Sequence, residues 1–250
     1  MATAMETLRV ERRDDGTALV TIARPAKLNA MNHAFFHEIR ALMAELDDDD
    51  GVSVAVITGE GRAFSAGGDL EDFHRVTDTP SARRQVRLAI ESFLAVERAE
   101  TVVIGAVNGI AYGGGTELTL ACDLAFAAQD ARFAFREITL GLMPGYGLVR
   151  GPEIIGRDWT HRMALTGDIL DADQARAIGL VQEVHPPGDL VDAALAIGAR
   201  MAAHPQVALR ATKRFVNRHS PAGIAETIEA TALLMAGPER VERVRALVSR

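Results

Sequence analysis

The N-terminal segment alternates hydrophobic and polar positions in two short runs that flank a turn. Leu8 and Val10 precede the turn signal Asp14-Asp15-Gly16, and a second apolar run covers residues 19–22. Such alternation around an Asp-Gly turn predicts a β-hairpin. Asn32 then precedes apolar residues at helical spacing, so we expect it to cap the helix that carries them.

Short β-branched runs and helical patterns alternate through the middle of the chain. Residues 52–58 and 102–107 predict buried strands, and residues 82–98 predict an amphipathic helix between them. The polar stretch 77–81 before that helix is the best candidate for a mobile lid. Two further short strands are expected between residues 124 and 135. Strands that alternate with helices in this way are typical of an α/β body.

The pattern changes near residue 189. Strand signals stop there, and helical periodicity dominates to the C-terminus, interrupted by prolines. We therefore divide the chain into an α/β core over residues 1–188 and a helical C-terminal segment over residues 189–250.

The composition excludes several classes of protein. Of the 250 residues, 48% are hydrophobic and 24% are charged, which is the balance of a folded globular protein. The net charge of −7 argues against a nucleic-acid binder and against a binder of anionic membranes. Cys122 is the single cysteine, so no intrachain disulfide can form. The N-terminus lacks the apolar core of a signal peptide, and we expect a cytoplasmic protein.

Two glycine-rich turns each follow a predicted buried strand. The first is Ser65-Ala66-Gly67-Gly68-Asp69, whose local pattern by itself favours an ordinary strand-to-helix turn. The second, Gly113-Gly114-Gly115, leads into a helix. Glycine lets a ligand approach a backbone N–H, and a helix N-terminus carries unsatisfied N–H groups. The turns can therefore form an oxyanion hole, or they can simply allow close packing of helix and strand.

Two glutamates stand close to the second turn. Glu117 lies in the first turn of the helix that follows it, and Glu137 follows the strand after that helix. Glu117 can be explained as favourable charge at a helix N-terminus, and Glu137 as an exposed loop carboxylate. As a pair, they also suit acid–base chemistry in which one carboxyl is ionised and the other is protonated. His33 and His37 lack an H-E-x-x-H pattern, so no metal site is expected.

The order and spacing of these segments resemble the enoyl-CoA hydratase/isomerase (crotonase) superfamily, and enoyl-CoA hydratase most of all. The matching stretches are residues 63–70, 106–118, 122–124, 137–145, 164–168 and 175–181. The resemblance implies a crotonase-like spiral of ββα units with a helical C-terminal segment that packs against neighbouring subunits. It also implies a homotrimer or homohexamer, an acyl-CoA thioester as substrate, and no cofactor beyond the coenzyme A of that substrate.

The resemblance assigns catalytic roles to four residues. The backbone N–H groups of Gly68 and Gly114 would hold the thioester oxygen, Glu117 would activate water, and Glu137 would exchange a proton with the α-carbon. Because isomerases of the family usually keep one of the two carboxylates, the pair favours hydration of a trans-2-enoyl-CoA to a 3-hydroxyacyl-CoA. Alternatives are an isomerase or another acyl-CoA lyase on the same scaffold, a non-catalytic acyl-CoA binding module, and an RNA-binding member.

The resemblance also assigns a set of residues to coenzyme A binding. The loop after the second strand supplies cations that would attract the phosphates, residues of the first glycine turn would line the adenine and pantetheine path, and a C-terminal lysine would reach a phosphate. These residues are Arg24, Lys27, Leu28, Ala66, Asp69, Leu70 and Lys213. Two departures from the family pattern, Tyr146 and Leu148, are expected to add bulk beside the water site.

Overall fold

The computed structural model describes most of the chain as one continuous stretch. It describes residues 5–217 and, beyond them, residues 228–229, 232–233, 235–237, 241 and 244–246. The departure of Gly237-Pro238-Glu239-Arg240-Val241 from the family's usual C-terminal pattern lies largely outside the described residues. None of the described helices is long and apolar enough to cross a membrane.

The strands of the described chain form two sheets. In chain order they are β1 (Leu8–Arg12), β2 (Thr17–Ile22), β3 (Val54–Gly59), β4 (Ala63–Ser65), β5 (Val102–Val107), β6 (Ile110–Tyr112), β7 (Leu124–Ala128), β8 (Arg132–Ala134), β9 (Leu170–Asp171) and β10 (Glu183–His185). The larger sheet has the order β1-β2-β3-β5-β7-β10, and the smaller sheet has the order β4-β6-β8-β9.

The helices of the described chain fill the connections between these strands. They are α1 (His33–Asp47), α2 (Leu70–His74), α3 (Thr79–Arg98), α4 (Gly114–Ala121), α5 (Gly147–Ile154), α6 (Arg157–Thr166), α7 (Ala172–Ala177), α8 (Leu190–Ala202) and α9 (Gln206–Val216), with 3-10 turns at Pro25–Lys27 and Glu137–Leu140. The α/β class is confirmed.

The chain enters the larger sheet and then the smaller sheet in three successive steps. In each of the consecutive pairs β3–β4, β5–β6 and β7–β8, the first strand belongs to the larger sheet and the second to the smaller sheet. Within the smaller sheet, β6 pairs in parallel with both β4 and β8. This is the expected spiral of ββα units. The glycine turns leave the smaller sheet at the ends of β4 and β6, so the parallel pairing brings the two turns to the same edge.

Local sequence signals explain where several elements begin. The predicted hairpin forms, with Leu8 of β1 opposite Ile22 of β2. Asn32 caps α1, since its Oδ1 accepts a hydrogen bond of 3.0 Å from the Phe35 N–H. Helix α3 begins at Thr79, earlier than predicted, because Asp78 forms a capping box with Ser81. Residues 79–81, taken above as part of a lid, thus form the first turn of a capped helix.

Helix α8 covers a face of the larger sheet. Its Leu190, Ala194 and Leu195 pack with buried side chains of β3 and β5 in a core cluster separate from the one beneath α1 and α3. The residues just after the predicted boundary at 188 therefore contribute to the core of the α/β body.

Candidate active site

The two glycine turns lie against each other. Gly67 adopts a φ of +95°, and a Cβ added there would lie 3.2 Å from the Gly114 nitrogen. A Cβ on Gly115 would lie 2.3 Å from the Ser65 carbonyl oxygen, closer than real contacts allow. The start of α4 therefore packs on the end of β4 at a distance that only glycine permits.

Both amides that were predicted to form the oxyanion hole lack an acceptor. Within residues 5–217, neither the Gly68 N–H nor the Gly114 N–H donates to a protein oxygen. The neighbouring amides of the same turns are satisfied, since Gly67 donates to Ser65 Oγ at 3.1 Å and Gly113 donates to the Ala134 carbonyl at 2.8 Å. Two free donors on adjoining turns are the arrangement that can hold a carbonyl oxygen as it gains charge.

Glu117 projects from the first turn of α4 and is held by backbone donors of α5. Its Oε1 accepts a hydrogen bond of 2.8 Å from the Gly147 N–H. Burial raises the pKa of Glu117, and the backbone N–H groups of Gly147 and Tyr146 lower that pKa part of the way back. These donors stabilise the ionised form of a carboxyl group that burial would otherwise keep protonated.

Glu137 lies opposite the second glycine turn, at the start of the 3-10 turn that follows β8. Gly113 adopts a φ of +51°, and a Cβ there would lie 2.6 Å from Glu137 Oε1. The other oxygen, Oε2, is buried with no hydrogen-bond partner among the described residues. Burial, together with the charge of Glu117, raises the pKa of Glu137. The pair therefore favours a state in which Glu137 holds a proton.

One cavity of about 670 Å³ contains all four predicted catalytic residues. Gly68, Gly114, Glu117 and Glu137 all contribute to its wall. Apolar side chains supply much of the remainder, chiefly from α1, α2, α3, the turn after Glu137 and the C-terminal segment: Phe36, Phe73, Val86, Ala89, Ile90, Phe93, Leu140, Leu142, Met143 and Met235. The contribution of α3 to the cavity was not predicted, although the spacing of Val86, Ile90 and Phe93 marks one apolar helical face.

The residues predicted to bind coenzyme A divide into two groups. Lys27, Ala66, Asp69 and Leu70 line the cavity. Arg24 and Leu28 do not line it and instead brace its wall. Arg24 donates to Asp69 Oδ2 at 3.0 Å and to the Ala30 carbonyl. The Leu28 carbonyl accepts a hydrogen bond of 2.9 Å from the Ala66 N–H.

The placement of Lys213 corrects its predicted contact with a phosphate. Its ammonium group is buried, lies 2.7 Å from Asp123 Oδ2, and donates to the carbonyls of Val96 and Thr101. It lines no part of the cavity. A buried cation with these partners stabilises the packing of α9 on the body and is unavailable to a phosphate.

The structure also corrects the expected positions of Tyr146 and Leu148. Neither side chain lines the cavity. Tyr146 is fully buried, and its hydroxyl donates to Glu97 Oε2 at 2.5 Å. Glu97 and its partner Arg150 were both missed by sequence analysis, because nothing in their local pattern marks a buried ion pair.

Cys122 and Asp123, which precede β7, are both engaged in contacts within the protein. Cys122 is partly buried, burial raises the pKa of its thiol, and its Sγ donates to the Leu118 carbonyl at 3.2 Å. Asp123 accepts hydrogen bonds from the Val103 N–H and from the Asn217 side chain. Among the described residues, no group of three or more metal-ligating side chains occurs.

Comparisons with known proteins identify relatives over nearly the whole chain. A family model described as enoyl-CoA hydratase/isomerase matches residues 12–245. The 2,3-dehydroadipyl-CoA hydratase of Escherichia coli is 34% identical over 95% of this chain and 94% of its own length. The crotonyl-CoA hydratase of Syntrophomonas wolfei is 35% identical over 92% of this chain and 89% of its own. The crystal structure of an enoyl-CoA hydratase/isomerase from Mycobacterium paratuberculosis superposes with a TM-score of 0.90 at 28% identity, covering 98% of this chain and all of that one.

Proposed function

The chain belongs to the enoyl-CoA hydratase/isomerase family, and from that premise we propose that it is a hydro-lyase. It adds water across the C2=C3 double bond of a trans-2-enoyl-CoA and produces a 3-hydroxyacyl-CoA. One observation carries the proposal. The carboxyl groups of Glu117, which is buried, and Glu137, whose Oε2 is buried, share a cavity with the free amides of Gly68 and Gly114.

The two amides act on the thioester carbonyl. They donate hydrogen bonds to its oxygen, which gains negative charge when water adds at C3 and the electrons of the double bond move toward C2 and the carbonyl. Removal of one such donor typically costs about 3–4 kcal/mol of transition-state stabilisation. The apolar face of α3 keeps bulk water away from this charge, and the electrostatic interaction is stronger for that reason.

The two carboxyl groups move the protons. Ionised Glu117 takes one proton from the attacking water as the oxygen bonds to C3. Protonated Glu137 gives its proton to C2, so both parts of the water molecule add to the same face of the substrate. After product release, Glu117 passes its proton through solvent to Glu137. Every proton is thus accounted for by water and two side chains, and the reaction requires no metal or redox cofactor.

The pKa directions support this division of roles. Glu117 accepts backbone hydrogen bonds that stabilise its ionised form. Glu137 has an oxygen without a partner and a neighbouring negative charge, and both conditions favour the protonated form. A general acid and a general base with separated pKa values are what the reaction needs near neutral pH.

The coenzyme A part of the substrate is proposed to enter beside Lys27. That side chain is about half exposed and lies 2.6 Å from Glu71 at the cavity wall. Its charge compensates locally for the net acidity of the protein, and its ion pair is weak enough in solvent to exchange for a phosphate. Ala66, Asp69 and Leu70 form the adjoining wall. A homotrimer or homohexamer in the cytoplasm belongs to the same proposal.

Incubation with crotonyl-CoA tests the proposal. Hydration removes the absorbance of the conjugated thioester, and NMR of the product should show 3-hydroxybutyryl-CoA. A hexenoyl-CoA substrate separates the alternatives, because a shift of the double bond to C3 without uptake of water would identify an isomerase. Binding of both substrates without any turnover would identify a non-catalytic module.

A further inference from the structure

We propose that Tyr146, anchored by the buried pair of Glu97 and Arg150, is a positioning residue that holds the amide donors of Glu117 in place. The inference rests on the proposed function, because it assigns a task to residues behind the catalytic base. It also concerns a position where this chain departs from the sequence pattern of the family it resembles.

The anchor consists of three buried side chains from two helices. Arg150 binds Glu97 with two parallel hydrogen bonds, from Nε to Oε2 at 2.7 Å and from Nη2 to Oε1 at 2.9 Å. The Tyr146 hydroxyl donates to the same Glu97 Oε2. Glu97 lies at the end of α3, whereas Tyr146 and Arg150 lie one helical turn apart at the start of α5. The network therefore ties the first turn of α5 to α3.

The first amides of α5 are held by a side chain from another helix. Tyr146 occupies the N-cap position of α5, and its own side chain does not cap the helix. Instead, Oε1 of Glu117 in α4 accepts a hydrogen bond of 2.8 Å from the Gly147 N–H. Tyr146 thus has its backbone at the carboxylate of Glu117 and its hydroxyl on Glu97. A movement of the Tyr146 ring would therefore shift the backbone N–H groups that donate to Glu117, the proposed general base.

The surroundings of Glu117 leave few other groups that could control its charge. On the 3-10 turn opposite, Glu137 faces it, and Arg136 lines the same cavity. From α3, the neighbouring wall is apolar Phe93, which also packs on the Tyr146 ring at 5.5 Å between centroids. Behind the first turn of α5 lie the three anchor residues. The backbone donors are therefore the main feature that favours the ionised form of Glu117.

The test is the pH dependence of kcat for crotonyl-CoA with Tyr146→Phe and Glu97→Gln. In both variants, the backbone N–H groups at the start of α5 are held less firmly against Glu117, and its ionised form is less stabilised. The acid limb of the pH profile should therefore move to higher pH by about half a unit or more. At neutral pH, kcat should fall by about tenfold with little change in KM. Superimposable profiles of variants and wild type would overturn the inference.

Glu38→Gln is the matched control. It weakens another part-buried carboxylate network, in which Glu38 Oε2 accepts hydrogen bonds from the Thr7 N–H and the Thr7 hydroxyl, and which involves neither α3 nor α5. It should lower the melting temperature and leave the acid limb unchanged; an equal shift in this variant would show that the profile reports general loosening, and would overturn the inference.

A second readout separates this inference from the proposed function. The carboxyl carbon of Glu117 can be titrated by ¹³C NMR, with Glu117→Gln used for assignment. Its apparent pKa should rise in Tyr146→Phe whether or not crotonyl-CoA is hydrated. An unchanged titration overturns the inference alone, whereas a wild type that titrates as expected but hydrates no enoyl-CoA overturns the proposed function.

Discussion

Two buried clusters, each built around glutamate carboxyl groups, meet the first turn of α5, and they differ in how completely their oxygens are hydrogen-bonded. In one, Glu97 accepts two hydrogen bonds from one edge of the Arg150 guanidinium and a third from the Tyr146 hydroxyl. In the other, Glu117 has only backbone donors and Glu137 has one oxygen with no partner among the described residues. The first cluster fixes a helix, and the second leaves hydrogen-bonding capacity for a substrate and a water molecule.

The difference shows how a fold can tolerate an unsatisfied site. A buried carboxyl without a partner costs free energy, and the group reduces this cost by holding a proton. That same response produces a general acid at neutral pH. The satisfied cluster has no such freedom, because removal of either charge would strand the other.

The largest expected effect comes from neutralising the second cluster. Glu137→Gln should lower kcat/KM for crotonyl-CoA by about 10²–10⁴-fold, because the general acid is lost while the shape of the side chain is kept. Steady-state kinetics measure the loss, and circular dichroism checks the fold. Glu60→Gln, an exposed carboxylate paired with Arg9, is the control and should retain full activity. Retention of activity by Glu137→Gln would contradict the assigned role.

The next effect concerns the first cluster. Arg150→Met leaves the Glu97 carboxylate buried without its cation, and it should lower the free energy of unfolding by about 3–5 kcal/mol. Denaturant titration measures this quantity. Glu137→Gln, tested in parallel, should show no comparable loss, since it removes no paired charge. An equal decrease in the free energy of unfolding in the two variants would contradict the distinction between the clusters.

A smaller effect is expected from displacement of Glu137 rather than its removal. Gly113→Ala places a Cβ 2.6 Å from Glu137 Oε1, and a shift of the carboxyl by about 1 Å should lower kcat/KM by about 100-fold. Gly61→Ala is the matched control, because it also has a positive φ of +77° but meets only Pro25, at 3.5 Å. It should lose stability and keep its activity. Similar kinetics in both variants would show that backbone strain alone explains the loss.

The smallest effect is on the pH dependence of stability. Because the pKa of Glu137 is raised in the folded protein, the folded state binds this proton more tightly than the unfolded state. Its contribution to stability is therefore present below the ordinary glutamate pKa of about 4.3 and is lost as pH rises to the raised value. Glu137→Gln should remove this loss and stabilise the protein relative to wild type by roughly 1–2 kcal/mol more at pH 6 than at pH 5. Parallel stability curves for the two proteins would rule out the raised pKa.

Patterns in the sequence predicted the features that depend on neighbouring residues. The Asp-Gly turn predicted the hairpin, the asparagine before an apolar periodic run predicted the cap of α1, and the order of the glycine turns and glutamates gave the family. These signals are local, or depend on spacing along the chain.

Features that depend on distant side chains could not be predicted in this way. Lys213 reads as a surface cation on a helix, yet Asp123, 90 residues earlier, makes it part of the core. Tyr146 was expected to add bulk beside the water site, yet its hydroxyl binds Glu97 and its side chain does not line the cavity. In both cases, a buried carboxylate far away in sequence determines the direction of the side chain, and no local pattern reveals that partner.

The central claim is that Glu117 and Glu137 act on one water molecule and one substrate as a unit. A double-mutant cycle tests it most directly, with kcat/KM for crotonyl-CoA measured for wild type, Glu117→Gln, Glu137→Gln and the double variant. Residues that act as a unit give strongly non-additive losses. The account predicts that the double variant is scarcely slower than the slower single variant. Losses that multiply, or a single variant with full activity, would contradict it.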